Sequence, residues 1–178
     1  MKSVKVSGNC LLVDGERLPI LSGEFHFWRN PTVWWPRILD IIKEGGFKFV
    51  STYVCWDFHE LEPERYDFVG DTTPQRDLNS FLNLCEDKGF YVILRPGPYI
   101  GAEWKNWGIP DHASAYNRLH PKFLEKDGNY IEAVSKVIVP HQATHDGCVV
   151  LVQVDNEVDM NWQTYTVSGL GYWGNGRY

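Results

Sequence analysis

The sequence has no block of basic residues, no CxxC pair and no apolar run near the roughly 18 residues a membrane span needs. Each absence removes a class of function. Lys and Arg are scattered and the net charge is -6, so no electrostatic footprint for nucleic acid or an anionic membrane exists. Cys10, Cys55, Cys85 and Cys148 lie far apart, which argues against a zinc site or a disulfide framework and for free thiols in a reduced compartment. The first residues, "MKSVKVSGNCLLV", lack the apolar stretch of a secretory signal, and a cytoplasmic location is expected. No fixed-period repeat, low-complexity segment or G-x-S-x-G elbow occurs, which weighs against a solenoid and a serine hydrolase.

What remains is a chain of 178 residues, 43% hydrophobic, long enough for one domain with its own core. It is 15% aromatic, with eight Trp, nine Tyr and nine Phe. Such rings either fill a core or offer flat faces to sugars or bases.

The order of elements is the clearest structural signal. Two short apolar runs flank Asp14-Gly15, a hairpin signature. Ile20 to Phe25 reads as the first strong strand, and 47–56, "FYVILRP" and "GCVVLVQVD" as three more. Between them, "TVWWPRILDIIKEGG" carries Trp34, Ile38, Ile41 and Ile42 at helical spacing and stops at Gly45-Gly46. "QRDLNSFLNLCEDKG" carries a stripe of Leu78, Phe81, Leu82 and Cys85, and a third helix is expected over about 121–144. Alternating strands and helices predict parallel pairing with right-handed crossovers. Two architectures compete, a doubly wound open sheet and part of a (β/α)8 barrel. No glycine-rich phosphate fingerprint follows the first strand, which disfavours the open nucleotide-binding sheet.

Polar residues gather at the C-terminal end of every predicted strand: His26 and Arg29; Tyr53, Trp56, Asp57, His59 and Glu60; Arg95, Tyr99 and Glu103; Asp155, Asn156 and Glu157. In a barrel that end carries the chemistry. Strand alternation puts Gln153, Asp155 and Glu157 on one face, toward a barrel interior, and Val150, Val152 and Val154 on the other, toward helices. Asp155 then needs a cation, for which Arg95 is a candidate. Trp56, Trp104 and Trp107 can form a wall for stacking sugars or serve as core. His26, His59 and His112 with Glu60 or Glu103 invite a metal reading, but their spacing fits no ligand motif, and neither metal nor cofactor is expected.

With these segments laid out, the chain resembles glycoside hydrolase family 35, the retaining β-galactosidases. "SGEFHFWRNP", "YVCWDFHELEPERYDF", "ILRPGPYIGAEWKNWGIP" and "VQVDNE" look like the family's segments from the first strand to the fourth, and the match runs over about residues 10–160. The sequence departs from the family pattern at Asp155, usually Glu; at Gly101, often Cys; at Cys55, often Pro; and at Trp107, where Gly is common.

The resemblance implies a (β/α)8 barrel of which 1–178 is the N-terminal portion, truncated after the fourth strand, since a whole barrel takes about 250 residues. It implies Glu157 as the catalytic acid/base, and Tyr53, Glu103 and Asn156 as substrate-binding residues for a β-galactoside. Retaining hydrolysis uses two carboxyl groups about 5–5.5 Å apart. The resemblance implies that the second, a nucleophilic Glu near a seventh strand, lies in a C-terminal half not present here. Little or no turnover is expected of the chain alone. Two other readings stay open: a non-catalytic carbohydrate-binding or assembly-dependent fragment, and a metal-dependent barrel lyase or aldolase.

Overall fold

The computed structural model describes residues 2–8 and 10–156. The chain opens with an antiparallel sheet of β1 (Val4–Ser7), β2 (Cys10–Val13) and β3 (Glu16–Leu18). The β2–β3 turn is the Asp14-Gly15 pair foreseen as a hairpin. Both residues have positive φ, 52° and 82°, as the primed hairpin turns that suit strand twist demand. β1 was not foreseen; with one charged and one hydroxyl residue and mostly exposed side chains it carries little apolar signal.

The main sheet is built from β4 (Ser22–Glu24), then α1 (Trp35–Glu44), then β5 (Phe49–Tyr53). A short helix, α2 (Trp56–His59), and a small hairpin, β6 (Glu60–Glu62) and β7 (Arg65–Tyr66), follow. Next come α3 (Leu78–Asp87), β8 (Tyr91–Arg95), α4 (Asp111–Ser114), α5 (Pro121–Ile138) and β9 (Val149–Val152). β4, β5, β8 and β9 lie side by side in that order, each pair parallel. A doubly wound sheet reverses strand order at a switch point. Sequential order without reversal is the arrangement of a barrel wall.

The two faces of this wall differ. On the outer face, Val50, Val92, Leu94 and Val149 join a core with Leu39 of α1, Phe81 and Leu82 of α3, and Tyr130 and Val134 of α5. On the inner face, Phe49 packs with Leu11, Val13 and Leu18 of the first sheet, flanked by Tyr91, Ile93 and Leu151. The antiparallel sheet thus closes the N-terminal end of the wall's interior. Among the described residues, no element closes the C-terminal end of that interior.

The helices keep most of the expected patterns. α1 has Pro36 in its first turn, where no N–H partner is needed, and ends at Gly45. Its buried stripe is shifted, though. Trp35 and Leu39 are buried, whereas Trp34 and Ile41 are largely exposed. Gly23 explains the close fit of this helix: a Cβ there would come 2.7 Å from Ile42 Cγ2. α3 buries Leu78, Phe81, Leu82 and Cys85 as expected, and Asp77 caps it by accepting the Ser80 N–H at 2.8 Å. α5 ends at Ile138 rather than near 144, because Pro140 follows and the chain continues in 3-10 turns.

β9 corrects the simple alternation. Its register against β8 slips between Val92 and Ile93, so that Val92 faces Val149 and Ile93 faces Leu151. The slip turns Val150 toward the inner cluster, and Val149, not Val150, packs among the helices. Val152 and Val154 do border α5, but Val154 is 81% exposed.

Candidate active site

At the open end of the wall lies a cleft of about 620 Å³, bordered by Glu24, His26, Tyr53, Arg95, Tyr99, Glu103, Trp104, Trp107 and Asn156. Its centre is Arg95, the last residue of β8. Parallel register sets Arg95 beside Tyr53, and its guanidinium carbon lies 3.7 Å from the Tyr53 ring centre. Nη1 donates to Glu24 Oε1 at 2.5 Å, and Nη2 donates to Asn156 Oδ1 at 2.9 Å and to the Tyr53 hydroxyl. Tyr53 Oη donates to the same Asn156 oxygen at 2.6 Å, while Asn156 Nδ2 donates to the Ile100 carbonyl at 3.2 Å. The bonds donated by the Arg95 guanidinium are charge-assisted, the strong kind in proteins. Tyr53 and Asn156 therefore meet at the cleft, each already held by the other and by Arg95.

The first strand supplies the negative charge. Glu24 ends β4 and reaches both Arg95 and, at 3.7 Å, His26 Nε2. His26 packs against the Tyr53 and Trp28 rings, at 5.1 and 5.8 Å. Burial lowers its pKa from 6.5; Glu24 and Glu103 pull it up, and Arg29 and Arg95 push it further down, with the net effect favouring the neutral ring. Trp28 Nε1 donates to the Tyr53 carbonyl at 3.0 Å and so ties the segment after β4 to the end of β5.

The loop after β8 forms the outer lip. Gly101, Ala102 and Glu103 follow one another at positive φ, 66°, 48° and 45°. Side-chain-bearing residues resist this region, and such runs collect at functional sites. Arg29 holds the run, donating to the Ala102 carbonyl and approaching Glu103 Oε2 at 4.0 Å. The Glu103 carboxylate is otherwise open to the cleft, with its side chain 92% exposed. Neither Arg95 nor Lys105 pairs with it; Lys105 binds Asp111 instead.

Several expected members fall elsewhere. Trp56 is fully buried and stacks on Tyr130 at 4.9 Å, so it belongs to the core; Trp104 and Trp107 border the cleft. His59 is buried behind the site beside the Cys55 carbonyl, with its pKa pushed down to about 4 by burial, and His112 pairs with Glu60 at 2.7 Å. Among the described residues no three His, Cys, Asp or Glu side chains group as metal ligands. All four cysteines are unpaired and buried. Glu157 lies outside the described residues.

Asp155 needs its own correction. Its partner is Arg118, from the segment between α4 and α5, at 2.9 Å, and not Arg95. β9 ends at Val152, and the bend at 155–156 turns Asp155 outward and Asn156 inward, so strand alternation does not carry across it. Asp127 of α5 faces the same guanidinium. Burial and the Asp155 charge push its carboxyl up to about 6, with Arg118 opposing. A carboxyl raised in the fold weakens stability as pH climbs from about 4 through 6 and the ionised form must be accommodated. Asp127→Asn is therefore expected to stabilise the chain at pH 7 by about 1–2 kcal/mol after discounting for its partial exposure, and by nothing at pH 4. Urea unfolding at the two pH values measures this; equal effects at both would refute the assignment.

Sequential parallel strands, helices on the outer face and a polar cleft at the strand C-termini define the wall of a (β/α)-barrel. Among solved structures, the exo-β-1,4-mannosidase Op5Man5 from Opitutaceae bacterium strain TAV5 superposes with a TM-score of 0.65 at 22% identity, over 82% of this chain and 26% of that one. The chain belongs to glycoside hydrolase family 35: the profile of Glycosyl hydrolases family 35 matches residues 10–169. An exo-β-D-glucosaminidase of Thermococcus kodakarensis is 38% identical over 92% of this chain, and a β-galactosidase of Bos taurus is 38% identical over 84%. The chain spans about a quarter of the length of these relatives, 24% and 23%. No helix of the described residues is long and apolar enough to cross a membrane.

Local sequence alone does not mark two cleft residues, Glu24 and Arg95, as part of a substrate site. Both end a strand on the face that Tyr53 shares, so register together with alternation would have found them. Arg118 sits in an irregular segment and left no such signal.

Proposed function

We propose that this chain is the acid/base-bearing part of a retaining exo-β-glycosidase barrel, acting on terminal β-galactosides. The observation that carries the reading is the convergence of Tyr53, Arg95 and Asn156 at the open end of the wall, immediately before Glu157 in the chain. In this reading Glu157 protonates the leaving oxygen and later activates water, while the nucleophile comes from a C-terminal half of the barrel. Asn156 and Tyr53 orient the sugar hydroxyls, and Glu103 accepts from hydroxyls at the lip.

A second substrate is favoured by one feature. The Glu103 carboxylate lies exposed at the lip of the cleft, which suits the ammonium of a β-glucosaminide, and a glucosaminidase stands among the relatives. Titrating the chain with galactose and with glucosamine, followed by Trp fluorescence, separates the two. Preference for galactose, weakened about fivefold or more by Tyr53→Phe, supports the galactoside reading. A tenfold or greater preference for glucosamine that Glu103→Gln removes supports the other, since a charge-assisted hydrogen bond contributes about 1.5–3 kcal/mol. Saturable binding of neither sugar by the folded chain would overturn both. Robust hydrolysis of an aryl β-galactoside by this chain alone, abolished in Glu157→Gln, would overturn the missing nucleophile.

A further inference from the structure

Asn156 reaches the cleft from a stretch of chain that has already left the sheet. β9 ends at Val152, and the last ladder-like bond is Gln153 N–H to the Leu94 carbonyl at 2.9 Å. Beyond it, the bend is held by side chains. Gln153 Nε2 donates to the Asp155 carbonyl at 2.5 Å, and Asp155 Oδ1 accepts the Asn156 backbone N–H at 2.8 Å. The other oxygen of the same carboxylate, Oδ2, accepts from Arg118 Nη2 at 2.9 Å. Asp155 thus bridges a cation outside the wall and the backbone of a residue inside it. Both partners are sheltered, with side chains 17% and 25% exposed, so the pair is screened less than a surface pair.

We infer that Arg118 is a positioning residue: by anchoring Asp155 it sets the turn that presents Asn156 to the cleft. A carboxylate one methylene from the backbone can change rotamer and turn away unless its second oxygen is held. Without Arg118, Asp155 also faces the Asp127 carboxylate with no cation between them, and repulsion would turn it away from the Asn156 N–H. The inference deepens the proposed reading of the site, but its first readout needs no sugar.

The test is amide hydrogen exchange by NMR on the 178-residue chain. Arg118→Met is expected to speed exchange at the Asn156 N–H at least tenfold while the Val92 and Leu94 amides in β8 keep their rates. Arg118→Lys, which keeps the charge, should hold Asn156 within about threefold of the parent. Unchanged Asn156 exchange in a folded Arg118→Met chain overturns the inference, as does equal acceleration in the Lys variant. Should Arg118→Met fail to fold, Asp155→Asn decides: it keeps the Oδ1 acceptor, loses the charge that holds Arg118, and must show the same local acceleration. Sugar affinity is the second readout, expected to fall severalfold in Arg118→Met and to recover in Arg118→Lys. If the parent binds no sugar, the functional reading fails while amide exchange still decides the role of Arg118.

Discussion

Replacing Trp56 with alanine is expected to lower the stability of the chain by about 3–5 kcal/mol, the range for truncating a large buried aromatic side chain. Trp56 has no exposed surface and stacks nearly parallel on Tyr130, the ring planes 8° apart, with Phe123 edge-on at 6.3 Å. It begins α2 directly after β5, so it ties the strand end that carries Tyr53 to the face of α5. The cavity left by the indole cannot be filled by the neighbouring rings, which are held from several sides; Tyr130 Oη alone donates to the Val54 and Pro96 carbonyls at 3.2 and 2.8 Å. Thermal unfolding followed by circular dichroism should show a midpoint lower by roughly 6–20 °C. Trp107→Ala is the contrasting case. Its ring is 38% exposed at the cleft, and its loss should change stability by no more than about 1 kcal/mol. Equal effects of the two substitutions would mean that Trp56 is not the core anchor its packing describes.

The two tryptophans also mark the limit of what local sequence pattern encodes. Periodicity separated strands from helices because burial imposes it: the inward stripe of α3 and the apolar β5 and β8 were legible for that reason. The gathering of polar residues at strand C-termini was legible too, since a parallel wall puts all those ends on one side. Which of them face the cleft was not. Trp56, His59 and Glu60 stand in the same polar cluster as Tyr53, yet a single turn of helix after β5 swings them behind the site. The same limit applies to β9, where a one-residue slip and an early end redirect Val150 and Asp155. Alternation holds only while the ladder lasts, and a loop partner such as Arg118 lies beyond any local pattern.

Arg95 concentrates the site's electrostatics, and Arg95→Met should alter it most. The substitution keeps a long apolar stem and removes the guanidinium that joins Glu24, Tyr53 and Asn156. Three effects follow, each with its own measurement. First, stability should fall by about 2–3 kcal/mol, below the 3–5 kcal/mol of a fully buried pair because the Glu24 side chain is 51% exposed. Second, the His26 ring should titrate at higher pH than in the parent. Burial still lowers its pKa, but one of its two cationic neighbours has gone and Glu24 no longer has a guanidinium to neutralise it. Proton NMR of the ring reads this directly, and a downward or absent shift would show that Arg95 does not govern the potential of the cleft. Third, sugar affinity should drop at least tenfold, because the Tyr53 hydroxyl and the Asn156 amide lose their common anchor and must be ordered by the ligand itself. Arg95→Lys distinguishes charge from shape. A single ammonium can restore the His26 titration, but it cannot donate in parallel to Glu24 and Asn156 across a planar fork. Recovery of the His26 pKa without recovery of sugar affinity is therefore the expected result. Recovery of both would reduce the role of Arg95 to that of a positive charge.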